Sequence, residues 1–324
     1  MPNQQRLLSL LVVGVVAAVL SCGPLAESAF GANYISIDIA EAHNGVYTVA
    51  VNKAGEVAGS AAFLRHSDGT LEVFSVFNAA NSSVWDMNEA GEIVGHYGNG
   101  NGHAFLRSAD GTIANIDPPG ATWAYAIGMS SHGTVVGGSS AGNYIRARDG
   151  SYTMFSADFL YPYCINDSGV VAGRAGAENK SGFTRAADGT VTQFDLPPAA
   201  RYIVMGPGCI DDQGNIVARY GDSDNNAHGF IRRVDGSLTM IELPRWTSTE
   251  ASSVDGHGVV VGSVWSSQTG KGQGFLYNPD GSVQMFHAPS SHHDTMAARI
   301  DGREHIVGTY LHADGTLHGY LRTR

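Results

Sequence analysis

The sequence predicts an all-β protein, a seven-bladed β-propeller of four-stranded antiparallel blades, and three observations support this prediction. A short pattern recurs seven times at intervals of roughly 36 to 47 residues, which is the length of a propeller blade. The two ends of the chain carry complementary incomplete repeats. The residues after the N-terminal apolar run show no convincing 3.6-residue apolar period, so helices are not expected.

Each repeat contains a polar residue, here called the opener, that starts a tight Asn/Asp-x-x-Gly turn between the first two predicted strands. Seven residues after the opener stands Gly in six copies and Ala218 in the other. Asn, Asp and Ser suit this place because their side-chain oxygens accept backbone N–H groups in turns. The seven openers are Asn52, Asn88, Ser130, Asn166, Asp211, Asp255 and Asp301.

The third predicted strand of each repeat carries a fixed aromatic residue and, two positions later, an arginine. Tyr277 replaces the arginine in one copy, and an Asp-Gly turn follows in six copies. A residue that recurs in every repeat meets a need of every blade, so we expect the arginine to pair with the aspartate across the hairpin. The aromatic residues are Phe63, Phe105, Tyr144, Phe183, Phe230, Phe275 and Tyr320.

The chain ends predict how the ring closes. The segment from Tyr34 to Asp38 is similar to a fourth strand but precedes the first complete repeat, whereas the last repeat stops after its third strand at Arg322. Pairing of the two pieces would complete a seventh blade and remove an exposed sheet edge. The sequence therefore predicts one propeller domain over residues 32–324.

Residues 1–31 are predicted to be a signal peptide. Arg6 precedes a 14-residue apolar run from Leu7 to Leu20, which is too short to span a bilayer comfortably. Cleavage after Ser28 or Gly31 would release a secreted or periplasmic protein. The segment 19–22 also resembles a lipobox, and a lipid on Cys22 would then be the protein's only membrane attachment.

Composition limits the partners. The chain has a formal charge of −11, and the absence of a basic stripe argues against nucleic acid. A core of this size needs no metal or disulfide, and we expect a monomer. Cys164 and Cys209 occupy equivalent positions two residues before their openers. A disulfide between them is one interpretation, but two unbonded buried cysteines are favoured.

Two segments carry a resemblance to a known family: residues 102–107, with the sequence GHAFLR, and the turn at 165–169. They resemble the extracellular HAF-repeat family, which is named for a His-Ala-Phe signature. Residues 103–105 match the name literally, and residues 228–230 and 318–320 are variants of it. The resemblance covers nearly all of the chain after the signal peptide. It implies an exported β-propeller-like repeat protein but no established reaction, so it supplies no catalytic residue.

Three local motifs contain residue types that occur in chemical sites. Residues 138–142 match G-x-S-x-G, which acts as a nucleophile elbow only on a strand–turn–helix corner and is not expected to be catalytic here. Asp222 and Asp224 begin an EF-hand-like loop, but Ala227 and Arg233 stand where Gly and Glu are needed, so only a weak Ca²⁺ site remains. No other cofactor is expected. Residues 292–294 are the densest cluster of metal-ligating types, although neighbouring loop residues rarely share one ion.

The predicted connections divide into two faces. The turns between the first and second strands and between the third and fourth strands are short and uniform, and they form one face, here called the turn face. The remaining loops vary in length and composition, and they form the opposite face, here called the loop face. Variable loops on a rigid repeat scaffold are where binding sites are built. The candidate ligand-binding residues, weighted toward blades 4 to 7, are Arg174, Arg219, Tyr220, Trp246, Trp265, His292, His293 and Asp294.

Aromatic planes beside Arg, Asp and His suit carbohydrates or small polar molecules. The first functional hypothesis is therefore an exported binding or scaffolding propeller, whose partner is an extracellular carbohydrate, small molecule or protein. The alternative is an extracellular propeller enzyme, a hydrolase or lyase acting on a polysaccharide or lactone. Such an enzyme should show acid, base or metal groups that converge near the axis.

One charge pair is predicted across the ring. Asp86 and Arg299 are the only charged residues two positions before an opener, where an inner strand layer is expected. An unpaired buried charge is costly, so we expect the two side chains to meet.

Overall fold

The computed structural model confirms the seven-bladed propeller. It describes residues 24–25, 32–39, 46–79, 81–98, 101–155, 159–289 and 291–324, without the side chains of residues 24, 25, 292 and 293. The described residues form strands and turns, which build seven antiparallel sheets arranged as a ring. This part of the chain contains no long apolar helix of the kind that crosses a bilayer. Cys22 and most of the predicted signal peptide lie outside the described residues.

The first three blades each contain four strands in chain order. Blade 1 consists of β3 (Thr48–Val51), β4 (Val57–Gly59), β5 (Phe63–Arg65) and β6 (Leu71–Val73). Blade 2 consists of β7 (Ser82–Met87), β8 (Ile93–Tyr97), β9 (His103–Arg107) and β10 (Ile113–Asn115). Blade 3 consists of β11 (Ala124–Met129), β12 (Val135–Ser139), β13 (Gly142–Arg146) and β14 (Tyr152–Phe155).

The next three blades follow the same order. Blade 4 consists of β15 (Leu160–Ile165), β16 (Val171–Ala175), β17 (Ser181–Arg185) and β18 (Val191–Asp195). Blade 5 consists of β19 (Tyr202–Val204), β20 (Ile216–Gly221), β21 (Ala227–Arg232) and β22 (Leu238–Ile241). Blade 6 consists of β23 (Ser248–Val254), β24 (Val260–Ser266), β25 (Lys271–Tyr277) and β26 (Val283–Phe286).

Blade 7 joins the two ends of the chain, as predicted. It consists of β27 (Ser291–Ile300), β28 (Ile306–His312), β29 (Leu317–Thr323) and β2 (Asn33–Ile37), with the two-residue β1 (Pro24–Leu25) on its outer edge. Strand β2 pairs with β29 from Asn33↔Thr323 to Ile37↔Gly319. The predicted ring closure is therefore confirmed.

The opener holds its turn with its side chain. In blade 2, Oδ1 of Asn88 accepts hydrogen bonds from the amides of Ala90 and Glu92, at 3.0 and 2.9 Å. The backbone carbonyl of Asn88 accepts from Gly91, whose φ of +77° is a conformation that favours glycine. Asp211, Asp255 and Asp301 make the same amide contacts in their own turns.

The aromatic residue of the third strand explains the glycine seven positions after the opener. Phe105 is fully buried, and a Cβ on Gly95 would lie 2.9 Å from its ring and 1.9 Å from the carbonyl oxygen of Ser83. Only glycine lets the first strand and the ring approach each other this closely. The other six aromatic residues of this position are 0–1% exposed.

The recurring arginine does not form the expected ion pair with the aspartate of its hairpin. Among the described residues no such pair lies within 4.0 Å; the Asp110 carboxylate instead accepts the amide of Thr112 at 2.9 Å. The Arg107 guanidinium stacks on Phe74 of blade 1, with Cζ 5.0 Å from the ring centroid. The arginines of blades 4, 5 and 7 likewise stack on a phenylalanine of the preceding blade. The arginine is therefore structural, as predicted, but it joins neighbouring blades.

The predicted charge pair between blades 2 and 7 is confirmed. Nη2 of Arg299 lies 3.2 Å from Oδ1 of Asp86, whose side chain is 1% exposed. The same carboxylate accepts the amides of Met87 and Met129, each at 2.9 Å. The Arg299 guanidinium also lies against Gly208, where a Cβ would come within 2.0 Å of Nη1. The pair therefore links blades 2, 3, 5 and 7 near the axis.

The favoured interpretation of the cysteines is wrong, because Cys164 and Cys209 form a disulfide. Their Cα atoms are 5.8 Å apart, within the range that a disulfide spans. Both residues lie two positions before an opener on the innermost chain segment of their blade. Neighbouring blades come closest to each other at this segment. The spacing of strands within one blade does not reveal how short the distance between two blades is there.

We expect Cys164→Ala/Cys209→Ala to lower the free energy of unfolding by about 2–4 kcal/mol. The bond joins residues 45 positions apart and therefore restricts the unfolded chain. Urea unfolding with and without a thiol reductant measures the effect. The reduced wild type should have the same free energy of unfolding as the variant. If the variant is destabilised but the reductant does not change the stability of the wild type, the loss is due to packing and not to the disulfide.

Candidate functional site

Two cavities open on the axis of the ring, one on each face. The loop-face cavity has a volume of about 430 Å³, and the turn-face cavity has about 300 Å³. In blade 2, Trp85 lines the first and Met87 lines the second, so Asp86 lies between them. The Asp86–Arg299 pair therefore separates the two cavities.

A β-bulge in the first strand supplies much of the loop-face cavity. In six blades the pairing register shifts at the residue three positions before the opener. A bulge re-aims side chains, so this extra residue joins its neighbour in facing the axis. The bulged residues that line the cavity are Val49, Trp85, Ser252 and Ala298.

Blade 5 lacks this bulge and contributes to the wall of the loop-face cavity in a different way. Its first strand β19 ends at Val204, and a turn at residues 205–208 follows before Ile210 bridges to Ile216. Pro207 has no amide hydrogen to continue the strand ladder, and Gly208 has a φ of +75°. Met205, Gly206 and Pro207 consequently line the cavity as irregular backbone.

Trp85 is held by a histidine behind it. Its indole Nε1–H donates to Nδ1 of His96 at 2.9 Å, which makes Nε2 the protonated nitrogen of a neutral ring. Burial lowers the pKa of His96, which favours this neutral form. The His96 ring also packs edge-on against Tyr125, with 4.9 Å between centroids. The orientation of the indole at the cavity is therefore fixed.

Arg219, one of the predicted site residues, lines this cavity and is the charged residue of its wall. Its Nη1 lies 3.0 Å from the Glu250 carboxylate, and both side chains are partly exposed. The cavity thus combines a mostly apolar wall, one indole and the Arg219 guanidinium, which is paired with the Glu250 carboxylate. Such a site can stack a ring and hydrogen-bond to hydroxyl or carboxylate groups of the same ligand.

The turn-face cavity is polar, and its polar groups bind one another. The amide of Lys53 donates to Glu89 of the next blade at 2.8 Å, and the amide of Ser131 donates to Asp167 at 2.8 Å. The amide of Asp167 donates in turn to Asp212 at 3.3 Å. These contacts join successive blades, so this face is explained by stability and the loop face is the candidate for binding.

Two of the predicted site residues lie in stacks of their own. Arg174 lies between Tyr161 and Tyr163, with Cζ at 4.7 and 5.6 Å from the ring centroids. Tyr220 is 5% exposed and stacks on His228, with 4.9 Å between centroids. Neither residue lines the loop-face cavity.

Blade 6 and the start of blade 7 bring further predicted residues together. Trp265 is 39% exposed, whereas Trp246 is half-buried and packs against the core of blades 5 and 6. A Cβ on Gly272 would lie 3.0 Å from Oδ1 of Asp294 and 3.3 Å from the Trp265 ring, so these two side chains flank the same glycine. The side chains of residues 292 and 293 lie outside the described part.

Asp222 and Asp224, the residues of the weak Ca²⁺ hypothesis, lie in one tight turn. Oδ1 of Asp222 accepts the amides of Asp224 and Asn226, and Oδ2 lies 3.0 Å from Nε2 of His228. These contacts lower the pKa of Asp222 to about 2, chiefly through His228. The carboxylate of Asp222 is therefore shared with protein donors in this structure.

The described residues thus define a seven-bladed β-propeller with a ligand-sized axial cavity on its loop face. Among solved structures the chain is similar to a streptogramin B lyase, with a TM-score of 0.61 at 14% identity over 90% of this chain and 98% of that one. It is similar to virginiamycin B lyase from Staphylococcus aureus, with a TM-score of 0.58 at 13% identity over 90% and 99%.

A third similar structure is the extracellular domain of BT4673 from B. thetaiotaomicron, with a TM-score of 0.52 at 13% identity over 88% of this chain and 39% of that one. No protein-family model matches the sequence, and no curated protein matches it. At these identities the likeness shows the propeller fold alone.

Proposed function

We propose that this protein is an exported binding propeller that takes a carbohydrate or another small polar molecule with a ring into the loop-face cavity. The observation that supports this most directly is the pairing of the Trp85 indole with Arg219 in one cavity of about 430 Å³. Ligand pockets have this size, with a mostly apolar lining and a few convergent polar groups. A sugar presents an apolar face to an indole while its hydroxyls reach the guanidinium and the Glu250 carboxylate.

The ring of blades preorganises this site. Trp85 is fixed by His96, and the opposite wall is fixed by the turn at 205–208, so little side-chain freedom is lost on binding. Blades 1, 2, 5, 6 and 7 line the cavity. The sequence-based prediction had instead placed most of the candidate site residues in blades 4 to 7. A ligand would therefore contact both halves of the ring.

A panel of mono- and oligosaccharides, read by tryptophan fluorescence and calorimetry, tests the proposal. For the sugar that binds best, we expect Trp85→Ala to raise Kd about 30-fold, because a central aromatic anchor contributes 2 kcal/mol or more. Arg219→Gln should raise it about 10-fold through lost charged hydrogen bonds. Trp85→Phe, which keeps an aromatic face, should retain part of the affinity.

Trp265→Ala is the matched control, since it removes an exposed indole outside the cavity. Full affinity in this variant supports the axial site. Loss of binding in Trp265→Ala with Trp85→Ala unaffected would instead place the site on blade 6, beside Asp294. Product release by the wild type that is abolished in Glu250→Gln would favour the alternative, a hydrolase or lyase.

A further inference from the structure

Blades 2, 5 and 7 share a three-residue device on the loop face. A tyrosine of the second strand is the direct cross-strand neighbour of a histidine on the third strand, and the two rings lie against each other. An acidic residue just after the fourth strand contacts Nδ1 of that histidine. The three sets are Tyr97, His103 and Asp117; Tyr220, His228 and Glu242; and Tyr310, His318 and Asp38.

In blades 2 and 7 this device fixes the tautomer of the histidine. In blade 2, Nδ1 of His103 lies 2.6 Å from the Asp117 carboxylate, so Nδ1 carries the proton and donates it. In blade 7 the Asp38 carboxylate makes the same contact with Nδ1 of His318. Nε2 is then left with a lone pair, which is the form in which histidine binds metal ions.

Among the described residues, blade 7 is the one of these three blades in which three metal-ligating side chains come together. In blade 5, Nε2 of His228 faces Oδ2 of Asp222 at 3.0 Å and is satisfied by it. The equivalent position in blade 7, two residues after the stacked tyrosine, is His312, and Asp314 follows it. One ligand atom from each of His312, Asp314 and His318 lies within 4.8 Å of the other two.

We propose that His312, Asp314 and His318 bind a divalent transition-metal ion of the zinc class. Two imidazoles and one carboxylate are a ligand set that zinc accepts, with water in the fourth position. Asp38 is a positioning residue, because it orients His318 through the nitrogen that does not bind the ion. The site uses one short turn between β28 and β29, so a backbone rearrangement is not required.

The side chains need only a small adjustment. Ligand atoms around a tetrahedral zinc ion are roughly 3.3 Å apart, so the set contracts by side-chain rotation. Nε2 of His318 contacts the Thr316 hydroxyl at 2.6 Å in this structure, and that hydroxyl must turn away when the ion binds. Thr316 keeps a second partner in Asp314, at 2.5 Å.

The location gives the ion a structural consequence. Asp38 follows the closing strand β2. The three ligands lie on β29, which pairs with β2, on the next strand β28, and in the turn between those two strands. An ion bound there ties His318 and Asp38 together at the seam where the ring closes. Because a metal that binds only the folded state stabilises it, zinc at 100 times Kd should raise Tm by about 5 °C.

Calorimetric titration of untagged protein with zinc chloride, together with the visible spectrum of the cobalt(II) form, tests the proposal. We expect one site in the wild type with a Kd below about 10 μM and an intense tetrahedral cobalt spectrum. His312→Ala and Asp314→Ala should each weaken zinc binding about 100-fold or more and remove that spectrum. Asp314 lies on an exposed turn, and His312 is the partly exposed last residue of β28, so Tm without metal should change little.

His228→Ala is the matched control, because it removes the equivalent histidine from a blade in which Asp222 replaces His312 and contacts Nε2 of that histidine. It should leave zinc affinity unchanged. Asp38→Asn should weaken zinc binding 10- to 100-fold while keeping the tetrahedral spectrum, which a loss of ligands would not do. A wild type that binds no zinc below about 1 mM, or a His312→Ala variant with unchanged affinity, would overturn the proposal.

Discussion

Deletion of residues 32–39 should open the ring and lower the free energy of unfolding by roughly 5 kcal/mol. Strand β2 pairs with β29 along its whole length, and its Tyr34 and Ile37 side chains are 2% and 1% exposed. Burying two such side chains contributes about 2 kcal/mol each, and the lost strand pairing adds to this. The deletion also leaves β29 as an exposed edge, so self-association should increase.

Chemical denaturation and light scattering measure the two effects. Ser36→Ala is the control, since it removes one hydroxyl that contacts Tyr310 at 3.1 Å and leaves the strand in place, with an expected loss of about 1 kcal/mol. A synthetic peptide of residues 32–39 should restore part of the stability of the deletion protein. An unchanged Tm after the deletion would contradict closure through this strand.

Arg299→Met should lower the free energy of unfolding by about 3–5 kcal/mol, because it leaves the Asp86 carboxylate buried without its counter-ion. Methionine fills much of the same space, so the loss reports the charge more than the volume. The double variant Asp86→Asn/Arg299→Met should lose less than the sum of the two single variants. Strictly additive losses would show that the two side chains do not interact.

The pH dependence provides a second signature of the same pair. Burial raises the pKa of Asp86 in the folded protein, against the opposing effect of Arg299. A folded-state pKa above the unfolded value means that the folded state binds the proton more tightly, so stability is lost as pH rises through the folded pKa.

Removing Arg299 raises the Asp86 pKa further, and the cost of the substitution is then largest where the carboxylate would be ionised. We expect the difference in Tm between wild type and Arg299→Met to narrow as pH falls from about 8 to about 5. A difference that stays constant over this range would assign the loss to packing. The variant Arg299→Lys keeps the charge and should retain most of the pH profile of the wild type.

The repeated sequence pattern was sufficient to predict the propeller architecture. The fixed spacing of openers, glycines and aromatic residues predicted the number of blades, because each of these residues has the same packing task in every blade. The same register predicted the Asp86–Arg299 pair, since position relative to the opener determines distance from the axis. Comparing equivalent positions was more informative here than the local propensity of any one segment.

The candidate site was predicted only in part, and the reason is geometric. The bulge that points Trp85 to the axis adds one residue to a strand, and an alternating pattern does not reveal which residue is the extra one. The turn at 205–208 was visible as Gly-Pro-Gly, but its place on the cavity depends on the ring. The ligand set of His312, Asp314 and His318 is spread over a hairpin whose cross-strand register decides which side chains meet. Alignment of the residues three before each opener would have pointed to Trp85.

The way in which the ring closes also determines when the domain can finish folding. Ser36 and Tyr310 touch although they are 274 positions apart, so the first strand of the domain must wait for nearly the whole chain to be synthesised. Contacts between such distant residues slow folding, and the incomplete intermediates expose sheet edges that invite aggregation. Before the last blade forms, the protein is a row of stacked sheets with two open ends. A chain that crosses a membrane unfolded and folds afterwards meets this requirement directly, because both ends are then available at the same time.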